Sequence, residues 1–179
     1  MRHLRRIVVG VDGSDESFAA ARWALREARR NGATLTAVHA WQSFAALPTD
    51  APLQTQQIAA CADAAQEVLD AVVKRLRAEP EAAAVDLDPI LIPGPVGPVL
   101  VDEATDADML VIGSHGRGAL GRVVLGSVSA YCIHHATCST LIVASRPMAL
   151  RSAARQGDSR QRRGGGHGFA VGPHSDSVA

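Results

Sequence analysis

The stretch Gly113-Ser-His-Gly116-Arg-Gly-Ala-Leu-Gly-Arg-Val-Val-Leu-Gly126-Ser127 decides how the rest of the chain is read. An apolar run, Ala107 to Gly113, leads into it, and a helical pattern from Ser127 to His135 leads out. Glycines let the backbone take positive φ and let a ligand approach main-chain N–H groups closely. A loop of this kind that opens a helix aims unpaired N–H groups and the positive end of a dipole at one point, an arrangement that favours phosphate. The Ser127 hydroxyl can donate at the same place, and Arg117 and Arg122 can add charge. The competing reading is a flexible connection without a ligand. Gly-Ser opening a helix at this spacing favours binding.

Outward from this loop, strand-like runs alternate with helical ones. Leu4 to Val11 is short, apolar and β-branched, and it stops at Asp12-Gly13. Ser14 is a cap candidate ahead of the acids Asp15 and Glu16. Phe18, Ala21, Leu25 and Ala28 then recur at helical spacing, and Asn31-Gly32 ends that helix. Ala33 to Trp41 reads as a second strand, and 42–53, with Pro48 and Pro52, as a loop. Thr55 to Ala78 reads as a long helix with Ile58, Cys61, Ala65, Val68, Val72 and Leu76 on one face. Val85 to Ile92 is a third strand and Gly97 to Thr105 a short helix. Ala107 to Gly113 and Thr140 to Ala144 are the fourth and fifth strands.

Continuous apolar strands separated by helices specify a parallel sheet covered on both faces, an α/β fold. In such sheets ligands bind beyond the carboxyl ends of the strands, where the strand order reverses. That rule points to Asp12 and Gly113. An acid at a strand end also caps turns, but the ligand reading of Asp12 is favoured over the turn reading.

The spacing Gly113-x2-Gly116-x9-Gly126-Ser127 resembles the nucleotide-binding signature of the ATP-binding branch of the universal stress proteins. Its flanks fit as well, with Val-Gly-Val-Asp-Gly-Ser near the start and His-His-Ala leading to Leu-Ile-Val near the end. The likeness covers roughly residues 4–146. It implies an open five-stranded parallel sheet of order 3-2-1-4-5 with helices on both faces, related to the adenine nucleotide alpha hydrolases. It also implies homodimers paired through the last strand, and ATP as the ligand, with Mg²⁺ or Mn²⁺ held through the phosphates. Carried residue by residue, Gly113 lies beside the ribose. Gly116, Gly126, Ser127 and Val128 cradle the phosphates, with Ser129 in the same turn. Asp12 faces the nucleotide or its metal's water shell, and the backbone at Ala40, after His39, borders the adenine. His115 lies inside the loop and either contacts the nucleotide or faces solvent. Gly10 is a variable position in that pattern, and nothing beyond Pro147 has a counterpart.

Other motifs lose to simpler explanations. Gly116-Arg-Gly118-Ala-Leu-Gly121 matches the G-x-G-x-x-G fingerprint, yet residues 136–144 contain no acid to end the next strand. No G-x-x-x-x-G-K-[ST] loop occurs. Cys132, His134, His135 and Cys138 do not follow the usual structural zinc spacings. Cys132 is expected to pack on the sheet, and the His pair to mark a helix C-terminus. Trp23 and Trp41 are expected to be packing residues.

Composition bounds the rest. Hydrophobic residues make up 47% and aromatics only 3%, so the core must be built from Ala, Val, Leu and Ile. Eighteen basic residues balance eighteen acidic ones, which predicts neither a nucleic-acid nor a membrane partner. Behind the basic start, Ile7-Val8-Val9 is shorter than the roughly 7–15 apolar residues of a signal peptide, and the expected compartment is a reducing cytoplasm. From Arg151 onward five arginines face Asp158 and Asp176, a local net of +3. The expected organisation is a domain over 1–147 and a disordered Arg/Gly/Ser-rich tail over 148–179.

No base with an orienting partner is visible, so the expectation is a non-enzymatic regulatory module with an unidentified protein partner. The alternatives are a slow ATPase or phosphotransferase that conscripts Asp12 and His115, and a module for cyclic AMP.

Overall fold

The computed structural model describes residues 3–42, 51–114 and 125–144. The expected tail and most of the glycine-rich loop lie outside them. The elements are β1 (Arg6–Gly10), α1 (Asp15–Asn31), β2 (Thr34–Trp41), α2 (Ala51–Arg77), a 3₁₀ turn (Ala82–Ala84), β3 (Leu87–Pro93), α3 (Val96–Glu103), β4 (Met109–Gly113), α4 (Ser127–His135) and β5 (Ser139–Val143). The sheet is five-stranded and parallel in the order β3-β2-β1-β4-β5, as expected.

Local chemistry explains the first crossover. Ser14 caps α1, its Oγ accepting the Ser17 N–H at 3.1 Å. Gly32 ends the helix in the left-handed region at φ 63°, where a side chain would be strained.

Strand alternation sorts the apolar residues into two layers. Ile7, Val9, Val11, Leu35 and Ala37 face α1 and α2, meeting Ala20, Ala21, Ala24, Leu25, Leu69, Val72 and Leu76. Val8, Val38, Leu110 and Ile112 face α3 and α4, meeting Val99, Leu100, Ala104 and Cys132. Each large side chain so buried contributes about 1.5–3 kcal/mol. The alanine stripe of α1 replaces aromatic bulk with close approach to the sheet. At the amino ends of the strands, the Asp108 carboxylate accepts the N–H groups of Arg5 (2.7 Å) and Arg6 (3.1 Å), tying β1 to β4 opposite the carboxyl edge.

Helix α2 differs from its expected form. It begins at Ala51, not Thr55, with Pro52 in the first turn, where no intrahelical N–H bond is lost. Ile58 and Cys61 are exposed, and the buried face starts at Ala65 and runs through Leu69, Val72, Val73 and Leu76. Length explains this. The 27 residues of α2 span about 40 Å, whereas strands of five to eight residues span about 17–26 Å. One end of the helix must therefore overhang the sheet.

Cys132 packs under α4 with no exposure, and burial pushes its thiol up to about 11, with a smaller contribution from Cys138. The thiolate is the reactive form, so a raised value slows alkylation. An alkylating reagent at pH 8 is expected to label exposed Cys61 in the folded chain well before Cys132, read by mass spectrometry of timed digests. Equally fast labelling of Cys132 would contradict the packing of α4 on the sheet.

Candidate functional site

The strand order reverses between β1 and β4, the switch point at which sheets of this kind hold ligands in a crevice beyond the carboxyl ends of the strands. Asp12 follows β1 there. Its Oδ1 accepts the Ser14 N–H at 3.0 Å and the Ser14 hydroxyl at 2.6 Å, and its own N–H reaches Ser17 Oγ at 3.2 Å. Asp12 thus organises the turn into α1, with Gly13 at φ 81° beside it.

Across the crevice, β4 ends at Gly113, whose carbonyl accepts the Ser129 hydroxyl at 2.8 Å. Ser114 donates its N–H to the Val143 carbonyl at 2.9 Å and accepts the Gly126 N–H at 3.0 Å. Ser114 and Gly126 are therefore held side by side, next to β5. His115 and Gly116, and with them Arg117 and Arg122, lie outside the described residues.

Gly126 is the N-cap of α4, at φ −63° and ψ 156°, and no side chain caps the helix. The first helical bond is Ala130 N–H to the Gly126 carbonyl at 2.9 Å. The N–H groups of Ser127, Val128 and Ser129 precede that bond and have no intrahelical acceptor. Ser127 is exposed, whereas Ser129 is buried with its hydroxyl bound to Gly113. The Ser129 side chain therefore ties α4 to β4. Gly97 of α3 allows α4 to pack closely against it, since a Cβ there would come within 2.7 Å of the Tyr131 ring.

On the other side of β1, the ladder to β2 stops early. Its last rung is Val11 N–H to the Val38 carbonyl at 2.9 Å, and the paired register ends at Gly10 with Val38. The next rung of a parallel ladder would carry the Ala40 N–H to the Val11 carbonyl, and it is not made. That carbonyl instead meets the Nδ1 of His39 at 2.7 Å. A carbonyl only accepts, so Nδ1 carries the proton. Among the described residues the Ala40 N–H is thus left without its rung to β1, on a residue only 7% exposed.

Asp12, Ala40, Gly113, Gly126, Ser127, Val128 and Ser129 thus share the carboxyl edge of the sheet. Cys132, His134, His135 and Cys138 do not converge, since Cys132 is in the core while both histidines are exposed. His39 is the site-shaping residue that the motif reading passed over, whereas Ser14 is expected only as the α1 cap. The available signal was a lone imidazole in the apolar run from Leu35 to Trp41.

The model of the universal stress protein family matches residues 3–144. A universal stress protein of Mycolicibacterium smegmatis is 34% identical over 144 residues, covering 76% of this chain and 47% of that protein. The chain therefore spans just under half the length of the curated relatives it matches. Among solved structures, a universal stress protein in complex with cAMP is similar at TM-score 0.56 and 28% identity, covering 79% of this chain and 98% of that one. The universal stress protein of Archaeoglobus fulgidus in complex with dAMP is similar at TM-score 0.54 and 26% identity, covering 79% and 99%.

Proposed function

The chain belongs to the universal stress protein family, and on that premise we propose that it is an ATP-binding, non-enzymatic regulatory module of the stress response. One observation carries the reading. The first turn of α4 is uncapped, and it follows the loop that leaves β4 at the β1–β4 switch point. Three outward N–H groups and a helix dipole are suited to phosphate oxygens. The Ala40 N–H, lacking its rung to β1, is suited to an acceptor on a planar base. In this reading Gly113 lies beside the ribose, and His115 and Gly116 complete the cradle. Mg²⁺ or Mn²⁺ rides on the phosphates and water, neutralising their charge. The complexes of related proteins with cAMP and dAMP lend support for an adenine nucleotide.

Regulation then follows from mass action. A ligand bound only by the folded state stabilises it by about 2.7 kcal/mol at a hundredfold excess over its Kd. Two copies pair through β5, the edge strand beyond β4, in the cytoplasm, and an unidentified protein reads the occupied state. Residues 1–147 form the binding domain and 148–179 an appended tail.

Calorimetric titration with ATP and Mg²⁺ tests this directly. Saturable binding at a stoichiometry near one per chain, without release of inorganic phosphate, is the expected result. Absence of heat with ATP would overturn the reading. The cAMP complex of a relative favours a second reading, a cyclic AMP module. A parallel titration with cyclic AMP separates the two, because only ATP extends a triphosphate along the first turn of α4.

A further inference from the structure

We propose that His39 is a positioning residue for the ligand, one that ends the β1–β2 ladder and so keeps the Ala40 N–H open to the crevice. The inference rests on the nucleotide reading above and identifies the device that prepares one wall of the site.

The bond pattern carries it. Val38 faces β1, since its carbonyl accepts the Val11 N–H at 2.9 Å. Backbone groups alternate sides along a strand, so Ala40 faces β1 as well. A parallel ladder would consume the Ala40 N–H at the Val11 carbonyl. The His39 ring lies between them in sequence and reaches that carbonyl at 2.7 Å, and the paired register stops at Gly10 with Val38.

His39 is only 9% exposed, on a strand whose other buried residues are apolar or Thr36. A buried ring with no such task would cost more than a leucine in the same layer, because its polar atoms must be satisfied. Its Nδ1–H satisfies the Val11 carbonyl that the missing rung leaves without its ladder donor. The same bond holds Val11, and therefore the start of the Asp12 turn, against β2. One side chain thus anchors the acid wall and vacates the main-chain donor beside it. Among the described residues no hydrogen bond from the Ala40 N–H replaces the missing rung.

The substitutions that separate this role from packing are His39→Leu and His39→Asn. Leucine fills the space without a donor, whereas the asparagine amide places an N–H close to where Nδ1 stood. Amide hydrogen exchange in the nucleotide-free protein is the first readout. The Ala40 amide should exchange freely in the parent and in His39→Asn, and become protected in His39→Leu as the vacated rung closes. ATP titration is the second readout. His39→Leu should weaken binding roughly tenfold, the worth of about one well-made hydrogen bond, and His39→Asn should recover most of it.

A protected Ala40 amide in the nucleotide-free parent overturns the proposal without any variant, so a leucine variant that fails to fold does not shelter it. Equal affinity of His39→Leu and parent overturns it too. If the parent binds no adenine nucleotide, the functional reading fails and the ligand half of this proposal with it. The exchange data then decide the ladder half alone.

Discussion

Replacing Gly126 by alanine is expected to weaken ATP binding by about 10–100-fold while leaving the thermal stability of the nucleotide-free protein within about 1 kcal/mol of the parent. The two halves of this expectation have different causes. Gly126 sits at φ −63° and ψ 156°, in extended backbone that any residue adopts. Alanine there is not strained, and the small loss of N-cap quality is offset by a less flexible unfolded chain. What alanine does change is the approach to the first turn of α4. On the proposed reading, a methyl group at the cap crowds a phosphate that approaches the N–H groups of Ser127 and Val128. Lengthening one or two charge-assisted hydrogen bonds, each worth about 1.5–3 kcal/mol, produces the stated loss. Calorimetry with ATP and Mg²⁺ gives the affinity, and a thermal melt without nucleotide gives the stability. Undiminished affinity would remove α4 from the proposed site. A collapse in stability with lost affinity would show that the glycine serves the fold.

The second large effect is on stability. Leu100 of α3 is 2% exposed in the layer shared with Val8, Leu110 and Cys132, and Leu100→Ala is expected to cost about 2–5 kcal/mol. Its position also explains Gly10. A Cβ at Gly10 would stand 2.8 Å from Leu100 Cδ1 and 3.2 Å from Ile112 Cγ2, so Leu100 occupies the room that a β1 side chain would need. Gly10→Ala alone should therefore cost about 1–3 kcal/mol through overpacking. In the Leu100→Ala background the same methyl enters a cavity, and its cost should vanish or reverse. Urea unfolding of the four proteins in the cycle measures this coupling. Simple additivity would show that the two residues do not share the space.

Much of the fold was legible because it is local. The Ser14 cap, the Gly32 terminator and the α4 boundaries at Ser127 and His135 follow from residue type within a few positions. The strand order did not follow from periodicity, which is silent on which strands are neighbours; it came from the family resemblance, and the sheet has that order. The α2 expectation went astray at Ile58 and Cys61. Apolar spacing marks a helix face, but it does not say how much of that face has a sheet beneath it.

The sequence by itself determined the alternation of strands and helices, the two-sided burial of the sheet, and the place of a glycine-rich entry into α4 at its carboxyl edge. These depend on patterns within one element or across one turn. Only the tertiary structure decided that Asp12 organises the turn at Ser14, that the Ser129 hydroxyl closes onto Gly113, and that His39 takes the Val11 carbonyl from 28 residues away. The last two depend on register between separate elements, and all three on which rotamer meets which backbone group. Side-chain identity limits those partners without choosing among them.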